Sequence, residues 1–144
     1  MTTKSESVTV GMTQEVTYVV NRARVEEFAR ASDDYARHHL DDEFAAASQL
    51  GGPVAHGVLL LGFVSAASSL LLDAVDSHYV TTGYDGVRFK RPVLVGEEVT
   101  VHYAIVEADS YRGTSRADFS VCGPTGELRC GGQHLMKRLS NERE

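Results

Sequence analysis

The sequence contains no long run of lysine and arginine, and its two cysteines are too few for a disulfide framework. It also lacks any apolar stretch approaching the roughly 20 residues that a bilayer-spanning helix needs. Each shortage removes a class of function. Nucleic-acid binding requires a positive footprint on the phosphates, whereas the formal net charge here is −6. The longest apolar run, Val58 to Leu72, is interrupted by Gly62, Ser65, Ser68 and Ser69 and is expected to be a buried core helix, not a membrane span. The opening MTTKSESVTVGMTQEV has no apolar signal-peptide core, so the expected location is the cytoplasm. Cys122 and Cys130 flank the turn sequence GPTGE. Counted outward from that turn they do not face each other, and reducing conditions keep such thiols free. His78, His102 and His134 stand in strand contexts without ligand-like spacing, so no metal site is expected.

What remains is a chain of 144 residues with 42% hydrophobic and 24% charged content. These values suit one soluble domain, 1–144, with a core of its own. There is no internal repeat, low-complexity segment or linker, and the tail SNERE is expected to fray.

Residues 15–20, EVTYVV, are β-branched and aromatic and predict a strand. Asn21 can cap the helix that follows, in which Val25, Phe28 and Ala29 recur at helical spacing until Ser32-Asp33-Asp34. A second short helix is predicted from Asp41 or Asp42 to Ser48, with acidic residues at the positive end of its dipole. Gly51-Gly52-Pro53 ends it. The central helix then runs from Gly57 or Val58 to about Leu72, apolar on most faces and so expected to be enclosed on most sides. Residues 79–91 predict a strand kinked at Gly83 or Gly86, and 92–96 a turn. The stretches 99–108, 114–122 and 127–139 alternate as strands. A long buried helix preceded by short ones and followed by an antiparallel meander gives an α+β domain whose sheet curls around the helix. Its exposed edges make pairing with a second copy plausible.

The ionisable residues gather just before that helix. Asp34 and His39 would stand about 140° apart on one continuous helix, so they converge only if the backbone turns between them. A carboxylate beside an imidazole can hold a water and move its protons. On composition alone, the same residues with Asp33, Arg37, Asp41 and Asp42 read first as a solvated polar turn. His56-Gly57 opens the apolar helix, where a glycine lets a ligand reach free N–H groups and the dipole favours a negative oxygen; taken alone, it reads first as a tight turn with His56 a hydrogen-bonded loop residue. Ser65 can bond back to its own helix. Arg88 and Lys90 share a strand face, with Arg91 beside them, and could meet phosphates or simply be solvated.

Taken together, Ser32-Asp33-Asp34-Tyr35-Ala36-Arg37-His38-His39-Leu40-Asp41 resembles the S-G-D-x-N-P-x-H-x-D signature of the MaoC-like hydratases, the (R)-specific enoyl-CoA hydratase branch of the hotdog-fold superfamily. Pro53-Val54-Ala55-His56-Gly57-Val58-Leu59 is similar to that family's P-[IV]-x-H-G-[ML]-L, and GVRFKRPVLVGEEVTV to its F-x-x-P-V-x-x-G-D-x-[VL]. The resemblance covers nearly the whole chain. It implies a hotdog fold and reversible hydration of a trans-2-enoyl thioester to the (R)-3-hydroxyacyl thioester. The carrier is CoA or phosphopantetheine, and no other cofactor is implied. Asp34 and His39 take the catalytic positions, the Gly57 N–H binds the thioester carbonyl beside His56, and Ser65 falls where the family has a site serine. His38 occupies a variable position, and Arg88, Lys90 and Arg91 lie outside the motif. A homodimer or higher oligomer is expected.

Two departures stand out. Asp33 replaces the signature glycine, and Ala36-Arg37 replaces Asn-Pro, which shapes the turn between the catalytic residues. Arg37 brings a cation that could act on Asp34 or on an unusual substrate. Rival readings are conjugate addition of an amine or other nucleophile to the enoyl thioester, and a non-catalytic acyl-binding partner subunit. A hotdog thioesterase ranks lower, because 58–72 has no acidic residue before Asp73 to serve as the carboxylate.

Overall fold

The computed structural model describes residues 3–140; the end of the tail, 141–144, lies outside the described residues. Strand β1 (Thr13–Val19) leads into helix α1 (Arg22–Ser32), the short helices α2 (Arg37–Leu40) and α3 (Asp42–Ala47), and the central helix α4 (Gly57–Leu72). Four strands follow, β2 (Tyr79–Phe89), β3 (Glu98–Asp109), β4 (Thr114–Cys122) and β5 (Leu128–Arg138). They form one antiparallel sheet in the order β1-β3-β4-β5-β2. Among the described residues, no helix is long and apolar enough to cross a membrane.

Period-two alternation decides which strand face meets α4. On β3 the buried positions are Val99, Val101, Tyr103 and Ile105, and on β4 they are Ser115, Ala117, Phe119 and Val121. Leu60, Phe63, Val64, Ala67 and Leu71 of α4 join them in one core. Each such aliphatic side chain contributes roughly 1.5–3 kcal/mol when fully buried, and the Phe63 ring stacks on Tyr18 of β1 at 4.4 Å.

Local chemistry sets the helix ends where the sequence predicts them. The Asn21 side chain accepts from the Arg24 N–H and the Asp41 side chain from the Phe44 N–H, so α1 and α3 are both capped. β2 kinks twice, its register against β5 slipping between Thr81 and Gly83 and again between Asp85 and Arg88. Both cysteines are free: Cys130 pairs with Val121 in the ladder, and Cys122 with Leu128.

One expectation is corrected. α4 is not enclosed on most sides within this chain; its buried residues form a single stripe, while Val58, Gly62, Ser69 and Leu70 are exposed. The apolar composition of the run hid this, because Val58 and Leu70 lie on the outer face with Gly62 and Ser69.

Several polar side chains are sealed into the body, His134 and Arg129 among them. His134 on β5 is fully buried between two hydroxyls, with Nδ1 2.8 Å from Tyr103 Oη and Nε2 2.8 Å from Thr81 Oγ1. A neutral imidazole offers one donor and one acceptor, which hydroxyls on either side can satisfy. Arg129 bonds Glu97, Glu127 and the Pro92 carbonyl, fastening β5 to the turn after β2. The same contact with Arg129, aided by Thr125, holds the Glu127 carboxyl down to about 2.

Candidate active site

The loop between α1 and α2 places the carboxylate. Asp33 ends α1 in the left-handed region at φ 62, the conformation for which glycine is the usual choice and which aspartate tolerates better than most residues. Asp33 therefore meets the backbone demand of the signature glycine it replaces. The Ser32 hydroxyl donates to the Phe28 carbonyl and accepts from the Asp34 N–H at 3.2 Å. Asp34 Oδ1 accepts from the Ala36 N–H at 3.2 Å, leaving Oδ2 directed toward the imidazole of His39.

α2, which the sequence did not reveal, supplies the turn between the pair. Ala36 is extended at φ −56, ψ 138, and the His39 N–H closes the first turn on its carbonyl. This is the backbone that a residue before proline adopts, with Arg37 at the first helical position that proline favours. The Asn-Pro geometry is thus kept without Asn-Pro. Arg37 itself faces away, its guanidinium bonding Asp41 at 3.0 and 3.2 Å and lying over the Phe44 ring at 4.4 Å. The cation neither pairs with Asp34 nor lines the cleft described below.

His39 is 6% exposed, whereas the adjacent His38 is half-buried. Its Nδ1 lies 2.7 Å from the Val54 carbonyl, which fixes the proton on that nitrogen and leaves Nε2 as an acceptor. Burial lowers the His39 pKa most; the Val54 bond opposes this, His56 and His38 lower it further, and Asp34 opposes. The net effect favours the neutral ring. Its Nε2 stands 3.9 Å from Asp34 Oδ2, too far for a direct hydrogen bond. A water about 2.8 Å from both atoms would subtend an angle of about 90°, near that between its two hydrogens.

His56 is 2% exposed and its ring stacks on His39 at 3.8 Å. Its Nε2 donates to the Asp34 backbone carbonyl at 3.0 Å, tying the carboxylate loop to the start of α4. Its Nδ1 is buried and makes no hydrogen bond among the described residues. Asp34, His39 and His56 each offer a ligand atom within 4.8 Å of one another, as a metal centre would require. However, the two imidazole planes lie face to face at 23°, so their in-plane lone pairs run side by side instead of meeting at one point.

Gly57 opens α4, where first-turn N–H groups have no intrahelical acceptor. A β-carbon on Gly57 would lie 2.9–3.2 Å from the Phe89 ring, so a side chain there must displace that half-exposed ring or the start of α4. His39, Gly57 and Phe89 line one cleft of about 380 Å³ with Val54, Ala55 and Val58, and Lys90 and Arg91 stand at the same cleft. Arg88 does not line it; its guanidinium donates to the Val87 carbonyl. Ser65 is two turns along α4, half-buried and outside that lining, and its carbonyl accepts from the Ser68 hydroxyl. The structure therefore brings Asp34, His39, His56 and Gly57 together and leaves Ser65 apart. Phe89 was not singled out from the sequence, although it is the phenylalanine of the F-x-x-P-V pattern.

An antiparallel sheet curled on one helix, with an acid–imidazole pair beside that helix's N-terminus, defines a hotdog-fold protein with a site for acid–base work on a carbonyl compound. Residues 4–121 match the model of the MaoC like domain, and the chain belongs to that family. It is 28% identical over 133 residues to an (R)-specific enoyl-CoA hydratase of Aeromonas caviae, covering 92% of this chain and 97% of the relative. A 3-hydroxybutyryl-CoA dehydratase of Methylorubrum extorquens is 27% identical over 132 residues, covering 92% of this chain and 82% of that protein. The solved (R)-hydratase from A. caviae, involved in PHA biosynthesis, superposes with a TM-score of 0.83 at 27% identity, covering 92% and 98% of the two chains.

Proposed function

We propose that the protein is a hydro-lyase that interconverts a trans-2-enoyl thioester and the (R)-3-hydroxyacyl thioester, the acyl group riding on CoA or on the phosphopantetheine of a carrier protein. The observation that carries this reading is the 3.9 Å gap between Asp34 Oδ2 and His39 Nε2, with His39 lining the same cleft as Gly57. The named relatives support the reaction class and the (R) configuration.

In the hydration direction Asp34 accepts a proton from the held water as its oxygen adds to Cβ. His39 Nε2 accepts the other hydrogen bond of that water and fixes its lone pair on the substrate. Charge moves to the thioester oxygen, where the Gly57 N–H and the helix dipole stabilise the enolate. Cα then takes a proton from the Asp34–His39 pair, restoring both groups. No cofactor beyond the thioester carrier enters these steps. A cytoplasmic homodimer fits this reading, with the exposed stripe of α4 and the sheet edges β1 and β2 available to a second copy.

The test is loss of enoyl-thioester absorbance with crotonyl-CoA and longer enoyl-CoAs, for the native protein, Asp34→Ala and His39→Ala. General acid–base groups contribute about 10²–10⁴-fold each, so both variants should fall by that factor while remaining folded. Full activity in Asp34→Ala would sink the assignment. Amine adducts in place of the 3-hydroxyacyl product would instead favour conjugate addition of another nucleophile.

A further inference from the structure

We propose that Lys90 and Arg91 form a binding site for the phosphate groups of the thioester carrier; the proposal rests on the hydratase reading above and assigns these residues to carrier recognition, not to chemistry. Both side chains stand at the cleft that His39 and Gly57 line, and both are exposed. Among the described residues, neither side chain takes part in a hydrogen bond or an ion pair. Lys4, Arg24, Arg30 and Lys137 are likewise without such a partner among the described residues, but none of them lines this cleft. Arg22, Arg37, Arg112, Arg116 and Arg129 each sit against a carboxylate, and acidic residues outnumber basic ones 20 to 14. Two adjacent cations left unpaired at the mouth of the substrate cleft are free to meet an anion that arrives with the substrate.

The backbone beneath them is fixed. The Lys90 and Arg91 N–H groups both point at the Arg129 carbonyl, at 2.7 and 3.4 Å, and Pro92 follows with its locked φ. Arg129 binds the Pro92 carbonyl at 2.6 Å and is held in turn by Glu97 and Glu127. The cations therefore project from a braced platform. Inside them the wall is apolar, with Val58 and Phe89 60% and 51% exposed, which suits an uncharged thioester arm and not a phosphate. The geometry divides the ligand into a neutral inner part and an anionic outer part, with each matched by its surroundings.

The experiment compares native protein with the Lys90→Ala/Arg91→Ala double variant on four crotonyl thioesters. The carriers are N-acetylcysteamine, pantetheine, 4′-phosphopantetheine and CoA. The expected result is a rise in KM of about tenfold for phosphate-bearing substrates, in line with two exposed ion pairs, with kcat unchanged and the phosphate-free substrates unaffected. A rise that begins at phosphopantetheine places the contact on the phosphate shared by CoA and carrier proteins. A rise confined to CoA places it on the nucleotide phosphates. Equal KM in both proteins for all four substrates, or an equal rise for the phosphate-free pair, overturns the proposal. If neither protein turns over any substrate, the hydratase reading fails by itself. Calorimetric binding of CoA then decides the cation site, because binding that is absent or equally tight in both proteins overturns it.

Discussion

His134 lies fully buried on β5 with Tyr103 and Thr81 at its two nitrogens and the Tyr84 ring 4.9 Å away. Burial pushes its pKa from the ordinary 6.5 down to about 4. The unfolded chain therefore binds a proton in a pH range where the folded protein does not. The resulting stability is fully present above pH 6.5 and is lost as pH falls toward 4. At about 1.4 kcal/mol per pH unit, the loss reaches about 2 kcal/mol at pH 5 and about 3 kcal/mol at pH 4. The assay is urea denaturation of native protein and His134→Gln at pH 7, 5 and 4, at one protein concentration so that any association is held constant. Glutamine keeps one donor and one acceptor but does not titrate here. Carboxylates and His39 titrate in both proteins and cancel in the comparison. The native protein should lose about 3 kcal/mol more than the variant between pH 7 and pH 4. Parallel pH profiles would refute the reasoning, because the buried imidazole would then carry no linkage.

Two further substitutions probe the catalytic cleft. Gly57→Ala places a β-carbon 2.9–3.2 Å from the Phe89 ring, which displaces either the ring or the start of α4; kcat should fall about 10²-fold or more, the usual worth of one oxyanion donor. Adding Phe89→Ala to it should recover part of the loss, and no recovery would show that the ring is not the obstacle. Arg37→Pro should leave urea stability within about 1 kcal/mol of native, since Ala36 already has the backbone that a residue before proline adopts. Hydratase activity should persist in this variant, and a folded but inactive protein would show that Arg37 acts in catalysis after all.

The parts of the fold governed by neighbouring residues were legible in the sequence. Asn21 and Asp41 announce their helices because a cap bonds two or three residues ahead. Gly57 and Leu72 bound α4 because the apolar run stops there. α2 escaped notice because four residues, Arg37 to Leu40, are too few to show a period. The need for a turn between Asp34 and His39 followed from helical geometry, but the turn itself is made by Ala36 and α2, where the sequence has lost the family's Asn-Pro. Nothing in the sequence pattern alone distinguishes His38 from His39; the motif did so, and the structure buries the second ring more deeply. The contact of Phe89 with Gly57 joins distant parts of the chain and is set by sheet register, which no local pattern encodes. The one-sided burial of α4 was obscured for a related reason, since composition reports how apolar a helix is and not what covers it.

The double kink of β2 bears on how this protein can change. Both register slips occur against β5 on a strand that borders the sheet, before the chain reaches Phe89. The ladders that join β1, β3 and β4 and hold the wall beneath α4 do not pass through β2. Residues at the end of β2 can therefore be exchanged with little repacking of the interior, leaving Asp34, His39 and Gly57 in place. A lineage built on this scaffold could move between carriers by altering residues 90 and 91 alone, keeping one chemistry while the company it keeps diversifies.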